Sequence, residues 1–276
     1  SLSFHFADDT NLLNINNNFK TIEKQVNRDL RSLINWLSAN KISLNQGKTE
    51  LVFFRKRSTK IPNTFKIKLN GKKLFHTKTI KYLGITLDEH LTGKYHVDYL
   101  ITKLNRSIGL LAKARHYVPT KVLCNIYHAV FASHIHYGSQ IWSNRKKILQ
   151  TVTNIQKKAI RIMNFADYRE HTEPFFKKLN LLKFQDYVTL TDSLFLYSSF
   201  CGDNPTIFNG IFKKTNDHIM KTRYSSILFK IPSFKTIRYG KNSIINQCIY
   251  SWNSIARKVM KFQSEAKGKK KELSTL

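Results

Sequence analysis

Residues Phe6-Ala7-Asp8-Asp9 set two adjacent carboxylates between two short apolar runs, residues 2–6 and 12–15. The pattern predicts strand, tight turn, strand, with both acids at the tip. Such a pair suits cation chemistry. Carboxylate oxygens hold Mg²⁺, and two-metal nucleotidyl transfer uses bound ions to clamp the attacking and leaving oxygens. Acids are scarce, 17 Asp plus Glu against 47 Lys plus Arg, so a turn that concentrates negative charge faces a cation on this reading. The competing reading of Asp-Asp-Thr alone is a plain turn, because Asp caps nearby backbone N–H groups. A second group, Cys124, His128, His134 and His136, invites zinc. No second cysteine pair accompanies it, so core or stacking histidines are expected instead.

The net charge of +30 asks for a polyanionic partner, nucleic acid first and an anionic membrane surface second. The membrane reading is the weaker. No stretch reaches the roughly 18 apolar residues of a spanning helix, and no membrane partner is expected. Residues 99–166 contain no Asp or Glu at all. Within and beside them Lys103, Arg106, Lys113, Arg115, Lys157, Lys158 and Arg161 are candidate phosphate contacts, giving salt-dependent, sequence-independent binding. A solvated basic face is the alternative, but it lacks acidic partners. Three scattered cysteines fit neither a disulfide framework nor a zinc ribbon. The expected compartment is nucleus or cytoplasm, not secretory. The chain opens inside a strand, and its start reads as a cut through a larger domain.

The positioning elements follow from periodicity. Phe19, Ile22, Val26, Leu30, Leu33, Ile34 and Leu37 mark one face of a helix, with Asn16 to Asn18 for its cap and Asn40 for its stop. Residues 51–54 read as a short buried strand. Phe65, Ile67 and Leu69 alternate into Asn70-Gly71, a hairpin signal. Residues 80–87 read as one further strand broken by Gly84. After Gly93 the period becomes helical. The stripes are Ile101, Leu104, Ile108 and Leu111; then, after Pro119, Leu123, Ile126, Tyr127, Val130 and Phe131; then Ile148, Val152, Ile155, Ala159, Ile160 and Met163. Tyr127, Phe131, Tyr137 and Trp142 are expected in the core. Pro174 opens a helix running through Phe175, Leu179 and Leu182, and residues 185–200 continue helically. Residues 202–240 read as loop-rich, with a short strand near Ile227 to Phe229. A last helix spans residues 243–260, and the Lys267-Gly268-Lys269-Lys270-Lys271 tail is expected to be disordered.

In this order, Phe6-Ala7-Asp8-Asp9, then Ser43-Leu44-Asn45-Gln46-Gly47-Lys48-Thr49-Glu50, then Lys81-Tyr82-Leu83-Gly84-Ile85 resemble the reverse transcriptases of non-LTR retrotransposons, particularly jockey-like elements. His136-Tyr137-Gly138 to Trp142, Ile155-Gln156-Lys157-Lys158-Ala159-Ile160-Arg161 and Trp252-Asn253 extend the likeness over nearly the whole chain. Gln46 stands where that family often has Pro. The resemblance implies an α+β chain: a partial polymerase palm over residues 1–92, a helical thumb over 93–165, a helical and loop-rich region over 166–262, and a basic tail over 263–276.

The resemblance also implies roles. Asp8 and Asp9 would ligate Mg²⁺, with Mn²⁺ as the alternative ion. Lys48 would approach the triphosphate and assist the leaving pyrophosphate. Asn45, by its residue type and apart from the resemblance, is expected to shape the turn rather than touch substrate. Tyr82, Leu83 and Gly84 would grip the primer, the glycine admitting close backbone approach; the plainer alternative is a packed strand with a glycine bulge. RNA template, DNA primer and dNTP are the implied partners, and RNA-directed DNA polymerisation the implied reaction. Palms of this kind carry another metal-binding Asp on an earlier strand, which residues 1–276 lack. The expectation is therefore a fragment that binds nucleic acid without polymerising; the alternative is a non-catalytic nucleic-acid-binding remnant or retained module.

Overall fold

The computed structural model of the chain describes residues 2–7, 9–215 and 228–273, with backbone alone for Arg238 and 259–273. Asp8 and Ile227 lie outside the described residues. The chain forms two compact units, Ser1–Tyr95 and His96–Leu276.

The first unit begins with β1 (Leu2–Phe6) and β2 (Asp9–Leu13), antiparallel partners from Leu2↔Leu13 to Phe6↔Asp9. Helix α1 (Phe19–Ala39) follows. The Asn18 side chain accepts from the Lys20 and Thr21 N–H groups and so satisfies two of its open donors. The apolar face of α1 packs Phe19, Ile22, Val26, Leu30 and Ile34 against Phe65, Ile67 and Leu69. The expected strand at 51–54 shortens to β3 (Leu51–Val52), which pairs parallel with β6 (His76–Thr77). Asn70-Gly71 does turn a hairpin, β4 (Ile67–Leu69) to β5 (Lys72–Leu74), with positive φ at both central residues.

Residues 80–87 are not one strand. They form a third tight hairpin, β7 (Thr79–Tyr82) and β8 (Ile85–Asp88). Leu83 (φ 44°) and Gly84 (φ 79°) both take the left-handed conformation, which reverses the chain where a bulge is expected from sequence.

The second unit is helical. Helix α2 (Lys94–Ala114) buries Leu104, Ile108 and Leu111. Next, α3 (Thr120–Tyr127), a π-helical turn (His128–Ala132) and α4 (Ser133–His136) run on without a break in sequence. The Ser107 hydroxyl donates to the Val130 carbonyl at 2.6 Å, which occupies an acceptor inside the π turn. After α5 (Ser139–Trp142), α6 (Lys146–Met163) buries Val152, Gln156, Ala159, Ile160 and Met163. Helix α7 (Glu173–Lys178) carries Pro174 in its first turn but stops before Leu179 and Leu182, and α8 (Phe184–Cys201) follows.

Between α8 and α9 (Ile244–Leu273) lie a 3-10 turn (Thr206–Phe208), a π turn (Ile237–Lys241) and an antiparallel bridge, Lys214↔Phe229. The expected short strand is thus reduced to a bridge at Phe229. Asn253 holds it: the Asn253 amide accepts from the Phe229 N–H at 3.0 Å and donates to its carbonyl at 2.9 Å. Helix α9 continues through residues 263–273, where the sequence predicts a disordered tail. Lys, Glu, Ala and Leu are strong helix formers, and no proline interrupts them.

Candidate nucleic-acid interface and acidic turn

The acidic turn closes the β1–β2 hairpin, whose Leu12 packs against the core of Leu30, Phe65, Ile67 and Leu69. Ala7 takes a left-handed φ of 52°, and Asp9 opens β2, exposed and opposite Phe6. The hairpin shares its sheet with no other described strand. Leu2, Phe4 and Phe6, one face of β1 by alternation, are 50%, 41% and 60% exposed. Asp9 is the one carboxylate of the pair that is described.

Lys48 ends a short 3-10 turn (Gln46–Lys48). The Asn45 side chain accepts from the Lys48 N–H at 3.2 Å, and the Thr49 hydroxyl donates to the Asn45 carbonyl at 2.9 Å, so Asn45 shapes this loop as expected. The Lys48 side chain is exposed. Beyond it β3 lies against β7, whose hairpin carries Tyr82, Leu83 and Gly84 at its turn. The β1–β2 hairpin belongs to neither of these sheets.

Asp88, which the sequence pattern does not single out, organises the loop after that hairpin. Its buried carboxylate accepts from the N–H groups of His90, Thr92 and Gly93 and from the Thr92 hydroxyl, at 2.7–3.1 Å. Arg55 braces the same loop through Glu89 at 2.8 Å. An Asp followed by Thr92-Gly93 is the signal that points to it.

In the helical unit the basic candidates divide. Arg106, Lys113 and Lys158 are exposed. Lys103 lies over the Tyr99 ring at 4.9 Å, and Lys157 is half-buried. Two arginines are tied to the backbone. Arg115 Nη1 donates to the Ile162 carbonyl at 2.9 Å and Arg161 Nε to the Glu170 carbonyl at 2.8 Å. Their charge is thereby held in place.

Of the expected core aromatics, Tyr127, Phe131 and Trp142 are buried, whereas Tyr137 is 56% exposed. Tyr137 lies where the chain leaves α4 and offers its carbonyl, not its ring, to the Trp142 indole N–H at 3.0 Å. Gln156, inside the 155–161 motif, is fully buried. Its amide donates to the Tyr127 hydroxyl (2.9 Å) and the Leu182 carbonyl (3.0 Å), and accepts from the Phe184 N–H (2.7 Å). Its place between Val152 and Ala159 on the apolar face is the sequence signal for that role.

His136 stacks on Tyr187 with centroids 3.7 Å apart; burial, with His128 adding to it, pushes the imidazole down to about 4. Asp192 on α8 is buried and accepts from the Ser251 hydroxyl at 3.1 Å. Burial pushes its carboxyl up to about 6, against the pull of Ser251 and Gln140. Among the described residues no three His, Cys, Asp or Glu side chains group as a metal site, and no helix is long and apolar enough to cross a membrane.

Over 186 residues, 66% of its length, the chain is 27% identical to the RNA-directed DNA polymerase from mobile element jockey of Drosophila melanogaster. The jockey protein of Drosophila funebris is 29% identical over 55% of the chain. The Retrovirus-related Pol polyprotein from type-1 retrotransposable element R1 4 of Nasonia vitripennis is 28% identical over 50%. The chain spans 20%, 17% and 40% of these three proteins. No family model matches it, and no solved structure does. The chain is thus similar to part of the jockey-like and R1 non-LTR retrotransposon reverse transcriptases.

Proposed function

We propose that this chain is a nucleic-acid-binding part of a jockey-like RNA-directed DNA polymerase, with palm residues in 1–92 and thumb residues in 93–165, working in nucleus or cytoplasm. One observation carries the binding half of the proposal. The run from 99 to 166, free of Asp and Glu, folds as buried-core helices that leave Arg106, Lys113 and Lys158 exposed. Unneutralised cations on a rigid scaffold gain most by displacing the counterions of a polyphosphate. The partners on this reading are an RNA template and a DNA primer.

Asp8 and Asp9 are the proposed Mg²⁺ ligands, with Mn²⁺ as substitute. Mg²⁺ takes an octahedral oxygen set, usually with one or two carboxylates plus substrate phosphates and water. The described residues bring a single turn carboxylate, Asp9, and gather no third acid beside it. Among the described residues the set is incomplete, and no chemical step follows from it. Lys48, exposed on a side-chain-capped turn, is proposed to meet the triphosphate, and the Tyr82-Leu83-Gly84 turn to meet the primer backbone. A second reading, a binding module without catalysis, is favoured by the same incomplete acid set.

Two measurements test these readings together: anisotropy of labelled template–primer duplex across a salt series, and primer extension with Mg²⁺ and dNTP. The expected result is binding that weakens linearly on a log–log salt plot and no extension. Extension that disappears in Asp8→Ala overturns the non-catalytic part. Absence of duplex binding at low salt overturns the whole reading.

A further inference from the structure

Helix α6 ends in a conformation that suits glycine, yet the residue there is Phe165 (φ 54°). The Ala166 N–H reaches the Arg161 carbonyl at 3.0 Å and the Phe165 N–H the Ile162 carbonyl at 3.3 Å, a left-handed helix stop of the Schellman kind. A bulky side chain in that position is a true conformational outlier. It is not held there by burial, because the ring is 60% exposed. It is held by two cationic or polar neighbours from the end of α2. The Arg115 guanidinium lies over the ring at 4.4 Å, and the His116 ring meets it edge-on at 5.3 Å. Arg115 is itself fixed, by the Ile162 carbonyl and by His116 Nε2 at 3.3 Å. Tyr117 and Tyr168, close by in sequence, are 86% and 82% exposed. Asp167 and Glu170 follow in the same loop. The Asp167 carboxylate accepts from the Tyr168 N–H, and the Glu170 carbonyl from Arg161.

The platform has an aromatic plane, a fixed guanidinium against it, solvent access, and a helical support without acids from residue 99 to 166. An apolar protein partner would use the ring but not the guanidinium. An isolated phosphate would use the guanidinium but not the ring. A nucleotide uses both: its base stacks on the aromatic or on the guanidinium plane, and its phosphate meets the charge. In a duplex the base faces are already stacked on one another, so the platform requires an unpaired base.

We infer that Phe165 and Arg115 form a stacking site for an unpaired base of single-stranded nucleic acid. The site shares Arg115 with the candidate phosphate contacts but adds Phe165, which none of them uses, and it rests on the nucleic-acid reading above. The test uses the full chain with labelled single strands of DNA and of RNA, a paired control duplex, and strands carrying the fluorescent base 2-aminopurine. The decisive variant is Phe165→Gly, since glycine adopts the left-handed stop without strain and the fold is retained. Its single-strand affinity falls by about 5- to 150-fold, the effect of losing one stacked base. Duplex affinity stays unchanged, and Phe165→Trp restores single-strand binding and quenching of 2-aminopurine. Equal loss for DNA and RNA supports recognition of the base alone; loss confined to RNA supports a site that also reads the ribose. Wild-type single-strand affinity in a folded Phe165→Gly protein overturns the inference while the duplex reading stands. Failure of the wild-type chain to bind either form overturns both.

Discussion

The β1–β2 hairpin and helix α6 both carry motif residues, and they are held in opposite ways. Every described residue of β1 is exposed, and beyond its own ladder and one left-handed alanine the hairpin is tied to its unit through Leu12, which packs against the core of Leu30, Phe65, Ile67 and Leu69. Helix α6 has one face wholly buried and anchors the Tyr127 hydroxyl, Leu182 and Phe184 through a single amide. A candidate metal turn at the tip of an exposed ladder tolerates change in most of its neighbours. A basic helix built on tertiary packing does not, and its cations keep their spacing only while that packing holds.

The contrast is sharpest in stability. Gln156→Leu keeps the volume but leaves the Phe184 N–H, the Leu182 carbonyl and the Tyr127 hydroxyl without their partner. Orphaned buried groups cost about 1–3 kcal/mol each, offset in part by relaxation, so a total loss of about 2–4 kcal/mol is expected. Urea unfolding followed by circular dichroism reads it. Phe4→Ala, on the 41% exposed hairpin face, shifts the same curve by less than ~0.5 kcal/mol. If Phe4→Ala matches Gln156→Leu, the β1 face is not the exposed, weakly anchored surface described.

A second test concerns charge buried in the helical unit. Asp192 is raised to about 6 in the fold, so its stabilising contribution is full below the ordinary carboxylate range, near pH 4, and is lost as pH rises through 6. His136 is lowered to about 4, so its contribution is full above about pH 6.5 and is lost as pH falls toward 4. The two slopes oppose each other. Asp192→Asn removes one of them. Each tenfold change in proton affinity between the folded and unfolded chain corresponds to ~1.4 kcal/mol. The variant is therefore expected to be more stable than wild type by about 2–3 kcal/mol at pH 8 and equal to it near pH 4. Urea midpoints across that pH range give both curves. A constant difference throughout would show that burial of the Asp192 charge is not what separates the two proteins.

The sequence made the helices legible because burial at a 3.6-residue period writes itself into residue type. Leu104, Ile108 and Leu111, or Val152, Ala159 and Ile160, can be placed from spacing alone, and all are buried. What escapes is any position where one residue does something unusual for its type. Leu83 takes a left-handed φ that leucine does not advertise, so two strands read as one. Phe165 does the same at the end of α6, and no glycine marks the stop. Gln156 and Asp88 are polar residues serving interior groups, and Tyr137 is an aromatic that works through its backbone. For the acidic turn, type and spacing point to the hairpin, and the structure adds its exposure.

The smallest effects separate two loops of the first unit. Gly84 sits at φ 79° in the β7–β8 turn, so a Cβ there is strained whatever space surrounds it. Gly84→Ala should cost about 1 kcal/mol. Gly47, beside Lys48, has ordinary φ, and an added Cβ would meet the Asn45 Oδ1 at 3.5 Å, a normal contact. Gly47→Ala should therefore be neutral or stabilising by up to about 0.7 kcal/mol, because alanine restricts the unfolded chain more than glycine does. Opposite signs in chemical denaturation would show that the β7–β8 turn needs its glycine for backbone conformation, whereas the loop before β3 is shaped by the Asn45 side chain. Equal losses would mean instead that the Gly47 loop is as constrained as the turn, and that Lys48 is held more tightly than its exposure indicates.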